Sequence, residues 1–114
     1  MAILRPPPAR RSMALPPLTS KQRAHLRGLA HSLKPLLHVG KEGVTPEVVR
    51  AAVELFHTRE LLKVKVLEAA PGAPREEAEA LVRELEGTYL VQVTGRTAVL
   101  YRPDPDQCTI RLPD

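Results

Sequence analysis

Three aromatic residues, Phe56, Tyr89 and Tyr101, are all that this sequence has, and tryptophan is absent. So few rings argue against recognition by stacking many bases on an aromatic sheet, as single-strand nucleic-acid platforms do. Cysteine is represented by Cys108 alone, which leaves no disulfide framework and no C-x-x-C metal or redox motif within the chain. Such usage suits a reducing cytosol, with Cys108 an inert thiol. No apolar run approaches the roughly 18 residues that a membrane helix needs. Prolines at Pro6 to Pro8, Pro16 and Pro17 leave no apolar secretory core near the start and weaken a transit-peptide reading. Acid is also missing from the first third: no Asp or Glu precedes Glu42.

What is present is positive charge, unevenly placed. Residues 1–65 hold 12 Lys/Arg against 4 Glu, a balance of +8, whereas residues 66–114 hold 5 Arg against 9 Asp/Glu, a balance of −4. The net charge is +4. This asymmetry points to a polyanion as partner for one part of the molecule, through backbone and shape contacts. The length of 114 residues allows one domain with a tail at each end. A core of roughly 85 residues buries about 60–65% of its unfolded surface, enough to fold without staples.

Hydrophobic periodicity organises that core. Residues 1–17 form a Pro/Arg-rich leader, expected to be disordered and dispensable, and Met13 is a candidate translation start. Thr19 and Gln22 make a capping box. Leu26, Leu29, Ala30 and Leu33 follow as the apolar stripe of a first helix, which Pro35 ends. Arg23, Arg27, His31 and Lys34 form a basic row beside that stripe, which also fits a merely solvated face. Leu36 to Val39 is a short strand. A second helix over Pro46 to Thr58 buries Val48, Val49, Ala52, Val53, Leu55 and Phe56. Leu62, Val64 and Val66 alternate with Lys63 and Lys65 in a half-buried strand, its lysines on the other face. Pro74 opens a third helix with an apolar stripe and an outer face of Glu76, Glu77, Glu79, Glu84 and Glu86; Gly87 stops it. Residues 89–94 and 97–102 form a hairpin around Gly95-Arg96. Residues 104–114 are a tail.

The order α-β-α-β-α-β-β gives a two-layer α/β domain with a mixed four-stranded sheet, its last strand antiparallel. Gly40-Lys41-Glu42-Gly43, directly before Val44-Thr45-Pro46, is its most informative stretch. Glycines at both ends let the backbone turn sharply and approach another polymer. Thr45 caps the following helix and Pro46 fits its first position. The positive helix end and Lys41 suit a phosphate. The same four residues also describe an ordinary strand-to-helix turn. The topology puts this loop and the Gly95-Arg96 turn at one sheet edge, with Lys21, Arg23 and Arg27 expected to converge there.

Four linked segments carry a resemblance more specific than a lone GxxG. They are LTSKQRAHLRGLAHSLKP at 18–35, HVGKEGVT at 38–45, ELLKVK at 60–65 and VQVTGRTAVLYRP at 91–103. Together they resemble the CRM (chloroplast RNA splicing and ribosome maturation) domain in its stand-alone bacterial YhbY-type form, over Leu18 to Pro103. The resemblance implies a sheet packed on helices like the C-terminal domain of translation initiation factor three. It also implies RNA binding, with precursors of the large ribosomal subunit as the partner. The GxxG loop falls where the family has it. Glu42 departs from the pattern by placing a carboxylate in the loop, and Asp104, Asp106 and Asp114 make the tail a poor RNA ligand.

The expected RNA-binding set is Gly40, Lys41, Glu42, Gly43, Thr45, Lys21, Arg23, Arg27, Lys34, Lys63, Lys65 and Arg96. Lys63 and Lys65 also fit a solvated strand face, and Arg96 a plain hairpin turn. No cofactor or metal is expected, and no catalysis. His25, His31, His38 and His57 are scattered without an H-x-x-x-H pair, and carboxylates stand away from the basic surface. A monomeric, cytoplasmic protein is expected, bound to ribosomal RNA precursor and in contact with ribosomal proteins. The alternative is a protein-interaction adaptor that docks a basic partner on the acidic third helix.

Overall fold

A computed structural model describes residues 16–104 and 110–113. The leader up to residue 15, the Met13 start, Cys108, Asp106 and Asp114 lie outside the described residues.

Seven elements follow in the expected order: α1 (Ser20–Ala30), β1 (Leu37–Val39), α2 (Pro46–Phe56), β2 (Leu61–Val66), α3 (Pro74–Arg83), β3 (Tyr89–Thr94) and β4 (Thr97–Tyr101). The strands make one mixed sheet in the order β1-β2-β4-β3. β1 and β2 are parallel, and β4 is antiparallel to both β2 and β3. β4 therefore inserts between the two strands that α3 connects. Gly95, at φ 59, supplies the left-handed residue that the β3–β4 turn requires.

Alternation along β2 fixes the layers. Leu62, Val64 and Val66 pack with Leu37, Val39, Ala52, Phe56, Leu81, Leu85 and Leu100 on the front of the sheet, under α2 and α3. Leu61 faces the other way, into a second cluster with Leu26, Ala30, Val91, Val99 and Tyr101. The expected two-layer arrangement describes the sheet with α2 and α3. In addition α1 covers part of the back, lying over β2, β3 and β4. Ile110 and Leu112 also pack against this second cluster, so chain beyond residue 103 contributes to the folded unit. Each fully buried leucine, such as Leu26 or Leu81, contributes about 1.5–3 kcal/mol relative to exposure.

The start of α1 has the expected reciprocal box: Gln22 N–H donates to Thr19 Oγ1, and Thr19 N–H donates to Gln22 Oε1, both at 3.0 Å. Its end differs from expectation. The helix stops at Ala30, well before Pro35: the chain leaves it through a turn in which Leu33 N–H donates to Ala30 O at 3.0 Å, and Lys63 Nζ donates to the carbonyls of Ala30 and Leu33 at 3.2 Å each. A β-bulge interrupts β3: Leu90 pairs with Leu100 and Gln92 with Val99, so Val91 is the extra residue.

Candidate nucleic-acid interface

The glycine loop closes as a tight turn in which Gly43 N–H donates to the Gly40 carbonyl at 2.9 Å. Gly43 sits at φ 72 and is buried; an added Cβ would lie 3.2 Å from Pro71 Cγ and 3.3 Å from Glu77 Oε1. Gly40 is less constrained, with only Leu67 Cδ1 at 3.9 Å from such a Cβ. The second glycine is thus a conformational necessity, whereas the first leaves room. Lys41 and Glu42 are both exposed. Thr45 caps α2 as expected, its Oγ1 accepting from Val48 N–H at 3.2 Å. Glu47 already stands in the first turn of α2, so the chain's own carboxylate partly complements the helix dipole there.

Glu77 is not on an outer acidic face. It is 8% exposed, and its Oε2 accepts from Gly72 N–H at 2.8 Å while Oε1 faces Gly43. This carboxylate braces the glycine loop against the Pro71-Gly72 turn. The remaining glutamates of α3, Glu76 and Glu79, are exposed.

Three of the expected RNA-binding cations have structural partners. Arg23 Nη1 donates to the carbonyls of Leu90 and Val91 at 3.1 and 2.9 Å, fastening α1 to the bulge. Arg96 donates through Nε to Val66 O at 2.8 Å and through Nη2 to Leu67 O at 2.7 Å, tying the hairpin turn to the end of β2. Lys63 caps α1 as described. Lys21, Arg27, Lys34, Lys41 and Lys65 are exposed.

The sheet edge assembles only in part. The ends of β1 and β2 and the β3–β4 turn do lie together: Leu67 N–H donates to Val39 O at 2.9 Å, and Arg96 reaches Leu67. The first turn of α1 does not join them. Arg23 rests on the beginning of β3, and Gln22 Nε2 donates to Pro113 O at 3.0 Å, so Lys21 and Arg23 lie at the far end of that strand. The cause is that α1 crosses the back of β2, β3 and β4 instead of running along β1. At the same end Tyr89 stacks on Tyr101 with ring centroids 6.0 Å apart and donates its hydroxyl to Pro16 O. Burial raises the Tyr89 phenol above its ordinary pKa, keeping that donor protonated.

What the fold does bring together is the back of the sheet. His38 pairs with Lys65, Lys65 with Thr97, and Thr97 with Thr94, which puts all four on one face. Beside them a cleft of about 290 Å³ is lined by Arg27, His31, Lys63, Gln92, Thr94 and Thr97, over a floor of Ala30 and Val99. No carboxylate lines it. Described residues 16–41, which include all of α1, contain no acid, whereas exposed Glu47, Glu54, Glu76, Glu79 and Glu84 belong to α2, α3 and the α3 cap. The α1 side is therefore basic without acid, whereas the front is mixed, since Arg50, Arg75 and Arg83 are also exposed on α2 and α3. Sequence reasoning singled out Arg27, Lys34 and Lys65, which are exposed, and did not single out Gln92, Thr94 and Thr97, whose shared face depends on the bulge and on β4's central place. His25, His31, His38 and His57 do not come together, and no group of three or more potential metal-ligating side chains occurs among the described residues.

Comparison with known proteins agrees over most of the chain. The model of the CRS1/YhbY (CRM) domain family matches residues 18–102. The Probable RNA-binding protein YqeI of Bacillus subtilis is 41% identical over 96 residues, spanning 84% of this chain and 99% of that one. An RNA-binding protein of Haemophilus influenzae is 39% identical over 100 residues, spanning 84% and 95%. The solution structure of protein SAV1595 from Staphylococcus aureus superposes with a TM-score of 0.72 at 36% identity, covering 85% of this chain and all of that one.

Proposed function

The chain belongs to the CRS1/YhbY (CRM) domain family, and on that premise we propose that it is a non-catalytic RNA-binding protein. RNA phosphates run along the back of the sheet, over Arg27, Lys34 and Lys65, and reach the glycine loop at Lys41. The observation that carries this reading is the lack of acid on the α1 side: described residues 16–41 carry exposed cations and no carboxylate, whereas on α2 and α3 exposed Glu47, Glu54, Glu76, Glu79 and Glu84 are interspersed with Arg50, Arg75 and Arg83. A phosphate backbone is drawn more strongly to the face that carries cations alone than to one of mixed sign, and so binds in one orientation. The glycine loop contributes close backbone approach at the edge of this surface, with Glu42 turned to solvent. Relatives named as RNA-binding proteins support the ligand class. The resemblance to stand-alone bacterial members extends it to precursors of the large ribosomal subunit, with ribosomal proteins as neighbours.

Crosslinking in cells, followed by sequencing of the attached RNA, tests ligand class and partner together. Enrichment of large-subunit precursor RNA is the expected result. Enrichment of unrelated transcripts would remove the ribosomal assignment, and absence of any RNA adduct would remove RNA binding itself. The adaptor alternative has weaker footing, because Glu77 is held inside the fold and does not present its charge to a partner.

A further inference from the structure

We propose that the cleft between α1 and the sheet is a ribose subsite, in which Gln92, Thr94 and Thr97 bind the 2′-hydroxyl and so distinguish RNA from DNA. The proposal rests on the RNA-binding reading above and adds to it the element that selects the sugar.

Cations alone cannot make that selection, since both polymers carry the same phosphates. A 2′-hydroxyl both donates and accepts, and it is matched by neutral side chains that do likewise. Gln92, Thr94 and Thr97 are such groups. None of the three side chains has a hydrogen-bond partner among the described residues. Gln92 and Thr97 are half-buried, so their polar ends are confined to the cleft and not spread into solvent. Arg27 and His31 stand exposed on the α1 side, placed for the adjoining phosphate. The volume, about 290 Å³, sits at the lower end of the roughly 300–1,000 Å³ of small-molecule sites. It suits one sugar-phosphate unit of a polymer better than a whole cofactor.

The bulge at Val91 makes this arrangement. Leu90 belongs to the front core and Val91 to the back cluster. Strict alternation would then return Gln92 and Thr94 to the front. The extra residue instead pairs Gln92 with Val99 and Thr94 with Thr97, turning both into the cleft. Bulges often re-aim side chains beside functional sites. Arg23, donating to Leu90 and Val91, pins this one in place.

The test compares single-stranded RNA and DNA of one sequence, with deoxyuridine for uridine, by fluorescence anisotropy on the full chain at fixed salt. The wild-type chain is expected to prefer RNA. Gln92→Met with Thr97→Val should weaken RNA binding by about three- to tenfold per lost hydrogen bond and leave DNA binding unchanged. Arg27→Gln should weaken both polymers by the same factor. Thr94→Val, an exposed change, judges the ratio by itself if the double variant melts below the assay temperature. Equal wild-type affinity for the two polymers, or an RNA/DNA ratio unmoved by these variants, overturns the subsite while leaving RNA binding intact. A wild-type chain that binds neither polymer overturns both.

Discussion

Gly40 and Gly43 look alike in the sequence and differ in the fold. Gly43 needs its left-handed backbone, and Pro71 and Glu77 close over it; Gly40 has open space. Gly43→Ala should therefore cost on the order of 1–2 kcal/mol, lowering the melting temperature by about 4–8 °C per kcal/mol for a domain of this size. Gly40→Ala should melt within a degree or two of wild type, and Gly40→Asp should weaken RNA binding without unfolding. Thermal denaturation beside a binding assay separates these outcomes. Glu42→Lys should tighten binding several-fold, since Glu42 is exposed and its reversal removes a repulsion while adding a cation. The motif was legible in the sequence, as was Thr45 as its cap. Glu77's role was not: a carboxylate at this position of an amphipathic helix looks solvent-facing until the neighbouring turn folds back onto it.

Elements were legible wherever hydrophobic period decided them. The stripes of α2 and α3 and the alternation of β2 required no tertiary information, whereas of the expected α1 stripe only Leu26 and Ala30 are buried, Leu29 and Leu33 being 40% and 38% exposed. The end of α1 did require it. Its last carbonyls are taken by Lys63, a residue 33 positions away from Ala30. Lys63→Met should accordingly cost about 1 kcal/mol by releasing Ala30 and Leu33, a loss visible as a lower melting temperature and faster amide exchange at the end of α1. A primary role for Lys63 in RNA contact predicts instead a large affinity loss at unchanged stability. The bulge in β3 was equally hidden. Tyr89 to Thr94 contains no glycine to mark it, and period-2 reasoning assigns Gln92 and Thr94 to the wrong face.

At the scale of the whole molecule, the sequence showed that charge was uneven but not how it would be arranged in space. That arrangement follows from α1 lying on the back of the sheet while α2 and α3 lie on the front. The same choice sends Lys21 and Arg23 away from the glycine loop, where simple topology had gathered them. Of the expected RNA-binding cations, Lys21, Arg27, Lys34, Lys41 and Lys65 are exposed. If each neutralises one phosphate of single-stranded RNA, the slope of log K against log[salt] is about −0.7 × 5, roughly −3.5. A slope near zero in a salt titration is incompatible with phosphate contacts of this kind.

The most direct measurement compares the two faces in one binding assay. Arg27→Glu with Lys34→Glu reverses the back, and Glu79→Lys with Glu84→Lys reverses exposed acids on the front; all four side chains are exposed and none caps a helix start, so both variants should retain the fold. Binding of each to the same RNA at the same salt is then measured against wild type. Loss of more than about tenfold for the back variant, with unchanged or slightly tighter binding for the front variant, is the predicted result. Equal affinity for all three proteins, or a loss confined to the front variant, would contradict the assignment of RNA to the α1 face.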